Sequence, residues 1–290
     1  MNTPSLISRA ARTAALAVTA ALVACALPAP PAGPPTLATQ QIAQIVASPD
    51  RTAADRNNDL RRKPEAMLAF IGVRPGMVAL DVSAGGGYTT ELLARAIGPS
   101  GTVYGQSQPR DPNRAAPMPA NPESGSAAPA APAAAPPRTS ATALAERERR
   151  LRAANVAAAP IAAVERRFDN PVPPELADGK LDLVTLIFNY HDLGFMRVDR
   201  AQMNAAIFRS LKRGGHYVIA DHSGRPGTGI SESGTLHRIE EDFLRREVEA
   251  AGFKLVAQGN FLRNPADPRD QNTPNPPQPK DEFVLKFVKP

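Results

Sequence analysis

The chain has 290 residues, with 34 Lys and Arg against 28 Asp and Glu, a net charge of +6, aromatic residues at only 5% and no Trp. The basic residues are scattered rather than gathered with stacking rings, which argues against nucleic-acid binding. The single cysteine excludes an internal disulfide framework, so the fold must be held by its core alone.

In chain order, Arg9 and Arg12 precede an apolar run from Ala14 to Leu27. That run is too short to span a bilayer and suits the apolar centre of a secretory leader. At its end stands "LVAC", Leu22 to Cys25, which resembles the lipobox of bacterial lipoproteins. The resemblance implies cleavage before Cys25 and a lipid on its thiol, giving a membrane anchor. Ala26 follows, so no aspartate signals retention in the inner membrane. Ordinary cleavage within "LPAPPAG", with Cys25 discarded, is the alternative. On either reading the chain is expected to be exported, to the periplasm or to the outer membrane as a lipoprotein. Residues 1–25 are thus expected to be the leader and residues 26–51, Pro/Ala-rich and then polar, a flexible tether. Residues 52–290 form the expected domain, about the size of one core.

Within it, "TAADRNNDL" predicts a short helix. "KPEAMLAFIGV" predicts a second, with Pro64 at its first position and Met67, Leu68 and Ile71 at helical spacing. "MVALDV" (77–82) is an apolar run bounded by glycines, as in a buried strand. "YTTELLARAIG" is an amphipathic helix ended by Gly98, and "GTVYGQ" (101–106) a second strand. The pattern then breaks: nine prolines fall between Pro109 and Pro137 among alanines and serines. Such composition cannot build a core, so residues 107–139 are expected to be a disordered insertion.

Periodicity returns with the charged helix "ATALAERERRLRAAN" and the third strand in "IAAVERRF". A fourth strand runs from Leu181 to Phe188. "VDRAQMNAAIFRSLKRGG" predicts a helix closed by Gly214 and Gly215, and "HYVIAD" (216–221) a fifth strand. "TLHRIEEDFLRREVEAAG" predicts another helix, and "FKLVAQGNFL" and "DEFVLKFVKP" the last two strands. Such alternation predicts an α/β fold, a parallel sheet covered by helices on both faces, with ligands bound at the carboxyl ends of the strands.

One loop stands at such an end. Gly85 and Gly87, between the first strand and its helix, permit close ligand approach and offer free N–H groups to an anionic or polar group. A dinucleotide pattern would need glycine where Thr90 stands. A tight turn with no ligand is the alternative.

Taken together, "LDVSAGGG", "LDLVTLIFNYHDL", "LKRGGHYVIADHS" and the closing strand pair resemble the class I S-adenosylmethionine (SAM) dependent methyltransferases, over about residues 52–290. The leader, "GGGYTTELLARA", "NYHDL" and "DHS" resemble, more narrowly, a bacterial secreted branch of that family. The family motif, acid-x-Gly-x-Gly-x-Gly, stands here as Asp81, Ser83, Gly85 and Gly87. The resemblance implies a Rossmann-like, mostly parallel seven-stranded sheet with an antiparallel C-terminal pair. It implies S-adenosyl-L-methionine as cofactor and a small molecule as methyl acceptor. Asp81 would hold the methionine end of SAM, above the Gly85–Gly87 loop. Where the family places an acid for the ribose, this chain has Gln106, which can contact a diol without charge. Asn189 and Tyr190 would border cofactor and substrate. Tyr88 would cover the cofactor or simply pack the helix start.

Three of the four histidines fall at the same sheet edge: His191 after strand four, His222 after strand five, and His237 early in the next helix. His216, at the opposite end of its strand, is expected to be structural. Asp192 and Asp221 adjoin the first two. His191, Asp192 and His222 are the catalytic candidates, since an imidazole near its ordinary pKa suits proton removal from an acceptor. A His/Asp metal site is a second reading and backbone capping a third; no metal ligand is assigned. Arg225 and Arg263 could meet an acidic substrate. Asp111, in the insertion, could substitute for the missing ribose acid. A non-catalytic lipoprotein that kept the fold as a binding module is the alternative to an enzyme.

Overall fold

The computed structural model describes Met1 and residues 35–109, 138–274 and 278–290. The expected leader, Cys25 and most of the insertion, with Asp111, lie outside the described residues.

Apolar, β-branched runs produce the strands β1 (Val78–Val82), β2 (Thr102–Ser107), β3 (Ile161–Glu165), β4 (Leu181–Ile187) and β5 (Leu211–His222), all mutually parallel. β6 (Lys254–Gly259) and β7 (Glu282–Val288) follow, and β7 enters antiparallel between β5 and β6. The sheet order is β3-β2-β1-β4-β5-β7-β6, so the order reverses between β1 and β4. That reversal opens the crevice where such sheets bind ligands.

The helices are α1 (Thr39–Ala47), α2 (Ala53–Arg62), α3 (Pro64–Ile71), α4 (Tyr88–Ile97), α5 (Ser140–Ala153), α6 (Asp192–Phe195), α7 (Arg200–Ser210) and α8 (Glu241–Ala250). Strand side chains alternate between faces, so each strand feeds two cores. Ala79, Val103 and Leu183 pack with Ile42, Leu68, Leu93 and Leu144 from one helical layer. Leu80, Val184 and Ile219 pack with Met203, Ile207, Leu244 and Val248 from the other. No described helix is long and apolar enough to cross a membrane.

Three elements differ from expectation. The stretch expected as tether holds α1, whose Ile42 and Val46 are buried in the first core. Leu37 N–H also bonds Val73 O at 3.2 Å, so the folded unit begins well before residue 52. Ile42, Ile45 and Val46 share one helical face, a signal diluted by the surrounding alanines and prolines. The helix expected to reach Gly214 stops at Ser210, and Leu211 already has extended backbone as β5 starts. The last helix is shorter than expected at its start: His237 has φ +51° and lies in the loop before α8, not within a helix.

Candidate functional site

β1 delivers Asp81 to the carboxyl edge, and the chain turns through Ser83, Gly85 and Gly87 into α4, all three with positive φ. Ser83 (φ +60°) takes a conformation that favours glycine and is held there from two sides. Its N–H donates to Gln106 Oε1 at 3.0 Å and its hydroxyl to Asn189 Oδ1 at 2.6 Å. A Cβ at Gly87 would stand 2.7 Å from Leu144 Cδ2 and 2.8 Å from Arg147 Cδ, both on α5. This glycine is therefore required by a neighbouring helix. Gly85 carries a carbonyl that accepts from the Ser140 hydroxyl at 2.8 Å.

Asp81 is buried beneath this loop. Its two oxygens accept from Thr90 Oγ1 at 2.6 Å and Thr185 Oγ1 at 2.8 Å. Burial pushes its carboxyl up to about 6, against the pull of those hydroxyls and of Arg62. Arg62, at the end of α2, is also buried, and burial draws its guanidinium down to about 10. It lies 5.2 Å from the ring centre of Tyr88 and 5.0 Å from that of Phe188. Arg62, Asp81, Ser83, Thr89 and Asn189 line one polar cleft, and an apolar pocket walled by Met67, Leu68, Ile71 and Phe188 shares Arg62, Tyr88 and Thr89 with it. Arg62 was missed in the sequence: nothing in "DLRRKP" signals a carboxylate that lies 19 residues further on.

Two expected cofactor residues have their polar atoms occupied within the protein. Gln106 is fully buried; its amide accepts from Ser83 N and donates to Arg166 O at 2.6 Å. It ties β2 to the loops after β1 and β3 and presents nothing to a diol. Tyr88 donates its hydroxyl to Asp59 Oδ1 at 2.6 Å while its ring walls both pockets. Tyr190, placed beside the cleft by resemblance, instead points into the second core, where it donates to Glu247 Oε2 at 3.0 Å and accepts from Asn204 Nδ2 at 2.9 Å. Asn189 does line the cleft and donates to Asp192 Oδ2 at 2.9 Å.

The three rim histidines converge. Rings of His191 and His222 are 5.2 Å apart, and those of His191 and His237 5.6 Å. His191 is fully buried; its Nδ1 is 2.6 Å from Asp221 Oδ1 and its backbone N–H donates to Asp221 Oδ2 at 2.7 Å. Its Nε2 lies 3.2 Å from Asp192 Oδ1, near enough for charge attraction but out of hydrogen-bond alignment. Burial disfavours the imidazolium, yet Asp221 and Asp192 outweigh it and raise His191 to about 10. Asp192 resists burial in turn: His191 and His237 hold its carboxyl far below the usual range. His237 Nδ1 is 2.9 Å from Asp192 Oδ1. His222 stacks on Phe188 and has Nδ1 3.1 Å from Glu282 Oε1. At neutral pH His191 therefore holds a proton between two carboxylates, which suits donation or charge stabilisation better than proton removal.

The remaining candidates lie apart. Arg225 pairs with Glu232, and Arg263 with Glu241 and Asp281. His216, opposite Leu183 of β4, is half-buried, and burial and the nearby Lys286 and Arg74 lower it to about 4.

At the level of sequence the chain matches no family model and no curated protein. Solved structures do match. A SAM-dependent methyltransferase from Aquifex aeolicus aligns over 88% of this chain and 100% of its own, at 14% identity and a TM-score of 0.51. An arsenic(III) S-adenosylmethionine methyltransferase from Chlamydomonas reinhardtii aligns over 88% of this chain and 73% of its own, at 16% identity and the same TM-score of 0.51. The seven-stranded sheet and its surrounding helices thus form the fold of the SAM-dependent methyltransferases.

Proposed function

We propose that the protein is an exported SAM-dependent methyltransferase acting on a small molecule. The observation that carries this reading is Asp81: a buried carboxylate, costly to keep ionised, at the switch point of a methyltransferase-type sheet and in one cleft with Arg62. A buried carboxylate whose pKa is shifted by desolvation, with a charged partner in the same cleft, is a functional-site signature. Asp81 meets the ammonium of the methionine moiety and Arg62 its carboxylate. The Ser83–Gly87 loop supplies backbone groups beneath them, with Asn189 at the edge. When bound, SAM supplies a methyl group made electrophilic by its sulfonium. This chain's part is to align an acceptor with it, which contributes more to such displacements than elaborate proton transfer. The neutral residues Ser107 and Gln108, at the same strand end as Gln106, are left for the ribose. On the acceptor side stand His191, Asp192 and His222. Export, and anchoring through Cys25, rest on the leader and the "LVAC" sequence.

A second reading is favoured by Gln106. With both ends of its amide consumed by backbone, the fold serves there as a binding module on the envelope without transfer. Calorimetric titration of the protein with SAM and with its demethylated product separates the two. Micromolar binding that Asp81→Ala abolishes supports the enzyme; no heat at millimolar ligand retires it in favour of the second.

A further inference from the structure

Beside the cleft, Asp192 stands between two histidines, and a second carboxylate supports one of them from behind. His237 Nδ1 is 2.9 Å and His191 Nε2 3.2 Å from the same oxygen, Asp192 Oδ1. The donor atoms of the three residues all lie within 4.8 Å of one another. Metal–ligand bonds of about 2.1 Å place neighbouring donors roughly 3.0–3.4 Å apart, and the two measured edges fall at that scale. His191 Nε2 is fully buried, makes no aligned hydrogen bond, and is aimed at this point. Its other nitrogen, Nδ1, is 2.6 Å from Asp221 Oδ1. Asp221 is in turn fixed by the backbone N–H groups of His191 and His222, at 2.7 and 2.8 Å. A carboxylate that holds one ring nitrogen and orients the other is the usual support behind a metal-bound histidine, and an ion at Nε2 takes the place of the proton that His191 otherwise carries there.

We infer that His191 Nε2, Asp192 Oδ1 and His237 Nδ1 bind a divalent transition ion of the Zn2+ type. Two imidazoles and one carboxylate select such an ion over Mg2+ or Ca2+, which prefer all-oxygen sites. Its two charges balance Asp192 and Asp221. Asp192 and His237 are each partly exposed, so three protein ligands leave positions open to water or to an oxygen donor, as in catalytic rather than structural sites. Asn189 bonds both Asp192 and Ser83, which places the ion one side chain from the polar cleft. If methyl transfer occurs there, the open position takes a hydroxyl or carboxylate oxygen of the acceptor. That last step rests on the proposed function; the ion site does not.

The test uses the full chain, purified without a histidine tag, stripped with chelator and titrated with Zn2+ and Co2+ in the absence of SAM. One equivalent of Zn2+ is expected at micromolar affinity or tighter, with visible Co2+ ligand-field bands and no displacement by a large excess of Mg2+. His237→Ala, in a partly exposed loop, and Asp192→Asn should each abolish the bands. Asp221→Asn, acting through His191, should weaken binding about 10–100-fold. His216→Ala, remote from the site, should leave it unchanged. Absence of saturable binding overturns the inference, as does binding unchanged in His237→Ala. Circular dichroism identifies a variant that fails to fold, and His237→Ala decides the matter if Asp192→Asn does. SAM titration reads the cofactor cleft separately, so failure of one site is distinguishable from failure of the other.

Discussion

Asp81 is held in a state that costs the fold stability. Its carboxyl titrates near 6 in the folded chain against 3.8 ordinarily. That difference is worth about 3 kcal/mol at 1.36 kcal/mol per pH unit. The sign follows from proton counting. Between pH 3.8 and 6 the folded state binds more protons than the unfolded one, so stability falls as pH rises through that window. The penalty is complete above pH 6 and absent below 3.8. Asp81→Asn should therefore raise the unfolding free energy from denaturant titration at pH 8, by up to about 3 kcal/mol, and leave it near wild type at pH 4. A variant less stable than wild type at pH 8 would contradict this account. The same carboxylate must be ionised to meet a cation, so SAM affinity should drop about tenfold per unit as pH falls below 6. Isothermal titration at several pH values reads that slope directly. The place of Asp81, at the end of a strand just before the glycines, was legible in the sequence. Its cationic neighbour was not, because α2 is brought against β1 only by tertiary packing.

At the scale of elements, α5 and the glycine loop are fitted to each other. Arg147 on α5 pairs with Asp55 of α2 at 2.8 Å and Glu91 of α4 at 2.6 Å, and its Nε donates to Gly86 O. Gly87 is what lets α5 come so close. Gly87→Ala meets Leu144 and Arg147 as well as an unfavourable left-handed φ of +77°. The backbone term is about 1–2 kcal/mol and overpacking adds about 1–3. Gly214 shares the conformation, with φ +76°, but nothing lies within 4 Å of its would-be Cβ. Gly214→Ala should therefore cost only the backbone term, and urea midpoints of the two variants should differ by the packing contribution. Equal midpoints would show that α5 yields freely. In the sequence Gly87 reads as a ligand glycine, since a pattern of glycines cannot say whether a ligand or a helix occupies the space above it.

For the whole molecule the starting point of the folded unit matters most. α1 buries Ile42 and Val46, and the segment after it supplies Arg51, paired with Asp59 at 2.7 Å, and Asp50, paired with Arg95. A chain beginning at residue 35 keeps α1 and serves as the reference. One beginning at residue 52 should lose at least about 3 kcal/mol, from two aliphatic side chains alone. Coincident thermal transitions for the two would place α1 outside the cooperative unit.

By itself the sequence determined the order of the seven strands and of the helices between them, α1 and the short α6 excepted, because apolar runs, helical periodicity and turn glycines are local signals that survive without context. It also placed polar residues in the loop after β1, after β4 and at the end of β5. Tertiary structure decided which groups those residues meet. Strand pleating turned Gln106 inward, where its amide joins β2 to two loops instead of facing a ribose. Packing of α2 across the sheet edge put Arg62 in the cleft of Asp81. Parallel pairing of β4 with β5 brought Asp221 beneath His191, 30 residues earlier. The loop before α8 then swung His237 onto Asp192, 45 residues away. These meetings depend on register and on side-chain direction across long separations, which no local pattern encodes.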